Sequence, residues 1–207
     1  MISEPIGQAV RQYMLGVGRA LARLGISPNM ATLIGFGLNV IVALVLASGH
    51  PRVAGAMLLV ASAFDMVDGA IARSTGTTST FGGFLDSTVD RYSEIVVYIG
   101  LLVWLNTTDN DHLGSLLVLI SATGALMISY ARARAEAIGH KASVGIAARP
   151  ERVVLLGLCL IFNWPMVALW VLAVTTHLTA VWRMIHVWRV TRHEVAAGAG
   201  SNRGSTS

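Results

Sequence analysis

One cysteine, Cys159, stands among 207 residues. It sits inside an apolar run, so no disulfide is possible within the chain and the thiol reads as a small buried hydrophobe. Charge is scarce as well: Asp, Glu, Lys and Arg make up 13% of the sequence, against 54% hydrophobic residues. A water-soluble domain usually carries about 25% charged residues, so that class is excluded. The mean hydropathy of +0.65 belongs to a helical membrane protein. No apolar core follows a basic start at the N-terminus, so no cleavable signal peptide is expected. No internal repeat and no second domain is visible. The net charge of +4 is not a nucleic-acid signal, because its placement follows membrane topology.

Apolar stretches recur over 30–48, 53–72, 84–105, 112–133, 150–168 and 168–189, with Asn163-Trp164-Pro165 as the turn between the last two. The expected fold is all-α: a six-transmembrane-helix bundle over 27–192. Residues 1–26 are expected to form an amphipathic juxtamembrane helix, because Ile6, Val10, Met14, Val17, Leu21 and Leu24 recur at helical spacing with Arg11, Arg19 and Arg23 between them. It either lies in the interface or packs on the bundle. Gly25 stops it, and Ser27 with Pro28 starts the next helix. Residues 193–207 are expected to be a disordered tail. With six spans, every basic residue except Arg52 falls on one side. Both termini are then cytoplasmic, in the cell's inner membrane.

Against this apolar background stand four aspartates: Asp65-x-x-Asp68-Gly69-x-x-Ala72-Arg73, eight residues, then Gly82-x-x-x-Asp86-x-x-x-Asp90. Asp65 and Asp68 share one helix face, and Asp86 and Asp90 another, with Glu94 one turn deeper. A carboxylate in or near hydrocarbon is costly, and four together repel. Divalent cations are the economical neutraliser. Two antiparallel helices bring the pairs into one cleft that would hold two ions. With no His or Cys in the set, Mg²⁺ or Mn²⁺ is favoured over zinc. Gly69 and Gly82 leave room for a bulky group, and Arg73 is placed to meet phosphate. A lone aspartate at a membrane boundary reads as a helix-end charge paired with an arginine. Four in register with Gly69, Arg73 and Gly82 read as a pyrophosphate site. A cation transporter is the remote alternative, but its acids would sit near mid-bilayer.

The motif resembles the signature of the CDP-alcohol phosphotransferase family at every fixed position. The resemblance implies that Asp65, Asp68, Asp86 and Asp90 hold two metal ions, and that Asp90 also acts as general base on an acceptor hydroxyl. That hydroxyl attacks the β-phosphorus of CDP-diacylglycerol and expels CMP. Thr32, Asp68, Gly69, Ala72, Arg73 and Gly82 would line the nucleotide pocket. The family resemblance also implies a homodimer.

The acceptor must be read elsewhere. Arginines beside the membrane in Ser129-Tyr-x-Arg132-Ala-Arg-Ala-Glu136 and Arg149-Pro-Glu-Arg152, with Arg183, point to an alcohol that already carries a phosphate. These stretches resemble phosphatidylinositol-phosphate synthases, which implies that Ser129, Arg132, Arg152 and Arg183 bind inositol 1-phosphate. Arg132 stands where those enzymes usually have lysine, which keeps glycerol 3-phosphate as a competing acceptor.

Overall fold

The computed structural model describes residues 12, 16–108 and 111–201. Those residues are helical apart from short connections. Residues 16–23 belong to α1; then come α2 (Pro28–Ala47), α3 (Pro51–Phe64), α4 (Met66–Thr75), α5 (Thr80–Thr108), α6 (His112–Ala137), α7 (Arg149–Ile161) and α8 (Pro165–Ser201).

The punctuation follows from the sequence. Gly25 takes φ +81, which ends the first helix at little steric cost. The Ser27 hydroxyl then accepts from the Met30 amide at 3.2 Å, and Pro28 takes the first turn of α2. Asp65 ends α3 and begins α4 in helical geometry, so the two run as one apolar stretch with a single break. Asn163 adopts φ 59 and Pro165 opens α8, which makes the expected turn between the last two apolar segments. One connection is shorter than its polar sequence implies. Across the polar stretch 74–81, α4 runs to Thr75 and α5 starts at Thr80, leaving 76–79 outside helix. The Ser79 hydroxyl accepts from the Gly82 amide at 2.9 Å and so caps α5 early.

Among the described residues, four helical stretches are long and apolar enough to cross a bilayer: Pro28–Ala47, Pro51–Thr75, His112–Ala137 and Pro165–Arg192. α5 has 29 residues, but its first half carries Asp86, Asp90, Arg91 and Glu94. α7 has only 13 residues. That is about 20 Å of helix, shorter than a hydrocarbon core of about 30 Å.

The disordered tail expected from 193 is not what the structure shows, since α8 continues through Ser201. Its run of Glu, Val and Ala residues at 194–197 favours helix, which offsets the glycines that follow. Residues 202–207 lie outside the described residues, as does most of the expected helix over 1–15. The described part of α1 rests on α4, with Leu21, Ala22 and Ile26 against Val67 and Ile71. A Cβ on Gly18 would lie 2.6 Å from the Ala70 carbonyl, so this crossing depends on glycine.

The main core runs through α2, α3 and α5–α8, around Val42, Leu58, Leu101, Leu160 and Leu169. Large apolar side chains such as Leu44, Val60, Trp170 and Leu178 point outward, as a lipid-facing surface requires. Neighbouring helices approach closely at small residues. A Cβ on Gly100 would lie 2.5 Å from the Ala43 carbonyl oxygen, across the α2–α5 contact. One on Gly55 would lie 2.6 Å from the Gly157 oxygen, across α3–α7. Gly100→Val should therefore destabilise the bundle by about 1–3 kcal/mol or more. Gly37→Ala, where a Cβ meets nothing within 4 Å, should leave stability unchanged or raised. Thermal unfolding in detergent compares the two directly.

Candidate active site

The first turns of α2, the whole of α4, the turn over 76–79 and the first turns of α5 meet at one end of the bundle. They enclose a cleft of about 260 Å³, into which Thr32, Asp68, Gly69, Ala72, Gly82 and Asp86 face. Five of the six residues expected to line a nucleotide pocket are thus on one wall. The sixth, Arg73, lies over Gly69: a Cβ there would meet the Arg73 guanidinium at 3.0 Å. A Cβ on Gly82 would meet the Ser79 hydroxyl at 3.0 Å and the Asn29 side chain at 3.4 Å. Asn29, Thr77, Thr78 and Ser79 also line the cleft.

Asp68 is held in place by its surroundings. The Thr32 hydroxyl donates to it at 2.8 Å, and the Gly69 amide donates to its other oxygen. Asp86, from α5, interacts with both Asp68 and Asp90. The other two carboxylates are turned toward α7. Arg149 donates through Nη2 to Asp65 at 2.8 Å, and its Nη1 is ion-paired with Asp90 at 2.9 Å. Arg91 approaches the second oxygen of Asp90 at 3.4 Å. The quartet therefore gathers at one end of the bundle, but a guanidinium stands between Asp65 and Asp90. Among the described residues no three acidic or imidazole groups form a ready-made ligand set. Arg149 was not among the expected site residues. Its signal was its place directly before Pro150, at the first turn of a helix facing the acids.

The residues present fit hard divalent cations. The donor set is all oxygen, and Asp65 with Asp90 already bridges a cationic group contributed by a third helix. Asp68 and Asp86 lie at interacting range across the cleft wall.

One turn deeper, Glu94 and Arg152 form a second pair of a different kind. Arg152 donates through Nε and Nη2 to the two Glu94 oxygens at 2.7 and 2.6 Å, and through Nη1 to the Ala147 carbonyl at 2.6 Å. Its side chain is 3% exposed. This bidentate clamp fixes the start of α7 against α5. The remaining residues expected at an acceptor phosphate do not meet in one open pocket. Arg183 donates to the Val144 and Ile128 carbonyls at 2.9 and 2.8 Å, which ties the 138–148 connection to α6 and α8. Arg132 pairs with Glu136 at 2.8 Å on a half-exposed surface. Ser129 donates back to the Ala125 carbonyl and faces a separate groove between α5 and α6. Arg183 nevertheless lies within Coulombic reach of Arg91, Arg132, Arg152 and Glu136.

Residues 25–184 match the model of the CDP-alcohol phosphatidyltransferase family. The chain belongs to that family, and it is an enzyme of the phospholipid-synthesising, membrane-spanning kind. It is 34% identical over 189 residues to archaetidylinositol phosphate synthase of Pyrococcus horikoshii, covering 89% of this chain and 95% of that protein. The crystal structure of Mycobacterium tuberculosis phosphatidylinositol phosphate synthase with CDP-DAG bound superposes with a TM-score of 0.81 at 32% identity, covering 86% of this chain and 94% of that one. A second structure of that mycobacterial enzyme, in complex with manganese and citrate, also gives 0.81 at 32% identity, over 84% and 88% of the two chains.

The Glu94–Arg152 clamp makes a stability prediction. Glu94→Leu leaves a buried guanidinium without its partner and should cost about 3–5 kcal/mol. Adding Arg152→Met should recover most of that loss. Thermal unfolding of the single and double variants tests the pair.

Proposed function

We propose that this chain transfers the phosphatidyl group of CDP-diacylglycerol to a hydroxyl of inositol 1-phosphate, giving phosphatidylinositol phosphate and CMP. The observation that carries this is the single cleft in which Thr32, Asp68, Gly69, Ala72, Gly82 and Asp86 face one another, with Arg73 over its floor. Glycines there admit a bulky group to the backbone, carboxylates hold cations, and an arginine meets phosphate.

Within this reading Asp65, Asp68, Asp86 and Asp90 would hold two Mg²⁺ or Mn²⁺ ions. Bound there, the metal supplies neutralisation of the charge that develops on the transferring and leaving phosphates. The chain's own residues do the rest. Thr32 keeps Asp68 oriented. Asp90 takes the proton of the acceptor hydroxyl as its oxygen forms a bond to the β-phosphorus. The bond from that phosphorus to the CMP oxygen breaks, and CMP leaves. An alcohol has a pKa far above neutral, so a base beside the attacking oxygen accelerates this step by about 10²–10⁴.

The acceptor assignment draws support from the relatives. One is archaeal and one mycobacterial, and their names differ in the lipid but share inositol phosphate. That favours inositol 1-phosphate over glycerol 3-phosphate, the acceptor of the competing reading as a phosphatidylglycerophosphate synthase. We assign the acceptor phosphate to the field of Ser129, Arg132, Arg152 and Arg183. Arg132 is the half-exposed member and turns most readily, whereas Arg152 acts from its clamp with Glu94. A cation path is disfavoured because the acids sit at helix starts and breaks at one end of the bundle.

Six spans accommodate this site best. α5 crosses with its acidic first half inside the cleft, and α7 crosses with the 162–164 turn completing its length. The bias of basic residues to one side supports a reading with both termini and the site on the cytoplasmic side of the inner membrane. The domain division follows: an amphipathic N-terminal segment, the bundle as catalytic domain and a polar tail. A homodimer is part of the same reading.

The test is CMP release from CDP-diacylglycerol by purified protein with Mg²⁺ or Mn²⁺ across a panel of acceptors. Inositol 1-phosphate should support turnover and glycerol 3-phosphate should not; the reverse result refutes the acceptor assignment. Asp90→Asn should lower turnover by at least 10² while nucleotide binding is largely retained.

A further inference from the structure

We propose that Arg149 is a built-in competitor of divalent cations: it occupies the aspartate quartet as an internal counter-ion, and metal loading displaces it. The inference rests on the metal reading of the quartet given above and adds a residue that the reading does not use.

Three observations carry it. First, the guanidinium bridges two of the four acids, one from each pair. Its two terminal nitrogens reach Asp65 from the α3–α4 break and Asp90 from α5, at 2.8 and 2.9 Å. An ion bound by both carboxylates needs the space between them, so the two occupants exclude each other. Second, Arg149 is seated incompletely. Its Nε is buried and has no hydrogen-bond partner. Arg152, three residues later on the same helix, has acceptors on Nε, Nη1 and Nη2. Side-chain exposure follows the same order, 17% for Arg149 against 3% for Arg152. One arginine is a fixed clamp, and the other has an unmet donor that favours departure. Third, the bridge engages the group that must react. Asp90 is paired with Arg149 on one oxygen and approached by Arg91 on the other. While Arg149 holds one oxygen and Arg91 stands at the other, an acceptor hydroxyl has no open approach to the carboxylate, so Arg149 must leave before Asp90 serves as base.

The consequence is order. Without divalent cation Asp65 and Asp90 are neutralised internally and the base is blocked. With it, the base is released and a guanidinium is set free beside the cleft. A closed form populated at about ten to one weakens apparent metal affinity by about tenfold.

Mn²⁺ binding to purified protein in nanodiscs, read by the EPR signal of free Mn²⁺, tests this without turnover. Arg149→Met should bind Mn²⁺ about tenfold more tightly than wild type. Arg91→Met removes the same charge from beside Asp90 without opening a bridge, and should change affinity by less than threefold. Equal or weaker binding by Arg149→Met overturns the proposal, as does an equal gain in Arg91→Met. The wild-type protein supplies an independent arm if Arg149→Met does not fold. Phenylglyoxal modification of Arg149, followed by mass spectrometry, should accelerate when Mn²⁺ is added. Unchanged or slower modification overturns displacement. Asp86→Asn separates this from the metal reading itself. Loss of Mn²⁺ binding there, with no gain in Arg149→Met, sinks the Arg149 proposal alone. Binding equal to wild type in Asp86→Asn removes both.

Discussion

Four carboxylates at one end of an apolar bundle must be neutralised, and most of the architecture around them answers that constraint. At a low effective dielectric, unit charges a few ångströms apart repel by several kcal/mol. The chain answers with basic side chains drawn mainly from the start of α7. Asp86, Asp90 and Glu94 follow one another at four-residue steps along α5, and so lie on one face. Arg149 and Arg152 are three apart on α7 and lie on the opposing face. Asp90 meets Arg149 and Glu94 meets Arg152. A break in α3–α4 at Asp65 delivers that carboxylate to the same guanidinium, while Asp68 is held by the Thr32 hydroxyl and the Gly69 amide.

The two rungs of this ladder differ in kind. The deeper rung is bidentate, fully buried and extended to the Ala147 carbonyl, so it sets where α7 begins. The shallower rung is a bridge across two elements with one donor unmet. Breaking a buried pair by removing one partner is strongly destabilising, whereas a partly exposed bridge can be exchanged for another cation at modest cost. Depth therefore separates what holds the helices from what is available for chemistry, within residues that a sequence shows only as neighbouring acids and bases.

Much of the site was legible because it rests on local rules. The spacing of Asp65, Asp68, Gly69, Ala72, Arg73, Gly82, Asp86 and Asp90 fixes which residues share a helix face, and the cleft wall follows from that. Ser27-Pro28 and Asn163-Trp164-Pro165 read correctly as helix starts and turns, since capping and positive φ are local matters. The partners of the arginines were not legible. Arg149 and Asp65 are 84 positions apart, and Arg152 and Glu94 are 58. No periodicity encodes which of several arginines meets which acid. Arg183 shows the same limit: its position in an apolar helix marked it as functional, yet its donors go to the Val144 and Ile128 carbonyls. That contact closes a connection that the sequence left without structure.

The glycines explain why the acids can gather where they do. A Cβ on Gly35 would lie 2.7 Å from the Asp65 carboxylate, so α2 offers that side chain a notch. Gly69 leaves space under Arg73, and Gly82 leaves space between Ser79 and Asn29. Each glycine lowers helix propensity by up to about 1 kcal/mol relative to alanine. Three such positions stand around one acidic cluster, whereas Gly55 and Gly100 meet backbone at helix crossings. Gly35, Gly69 and Gly82 meet polar side-chain atoms instead. They make room for charged groups to approach the helices, which is what a site handling phosphates at a membrane surface requires of its walls.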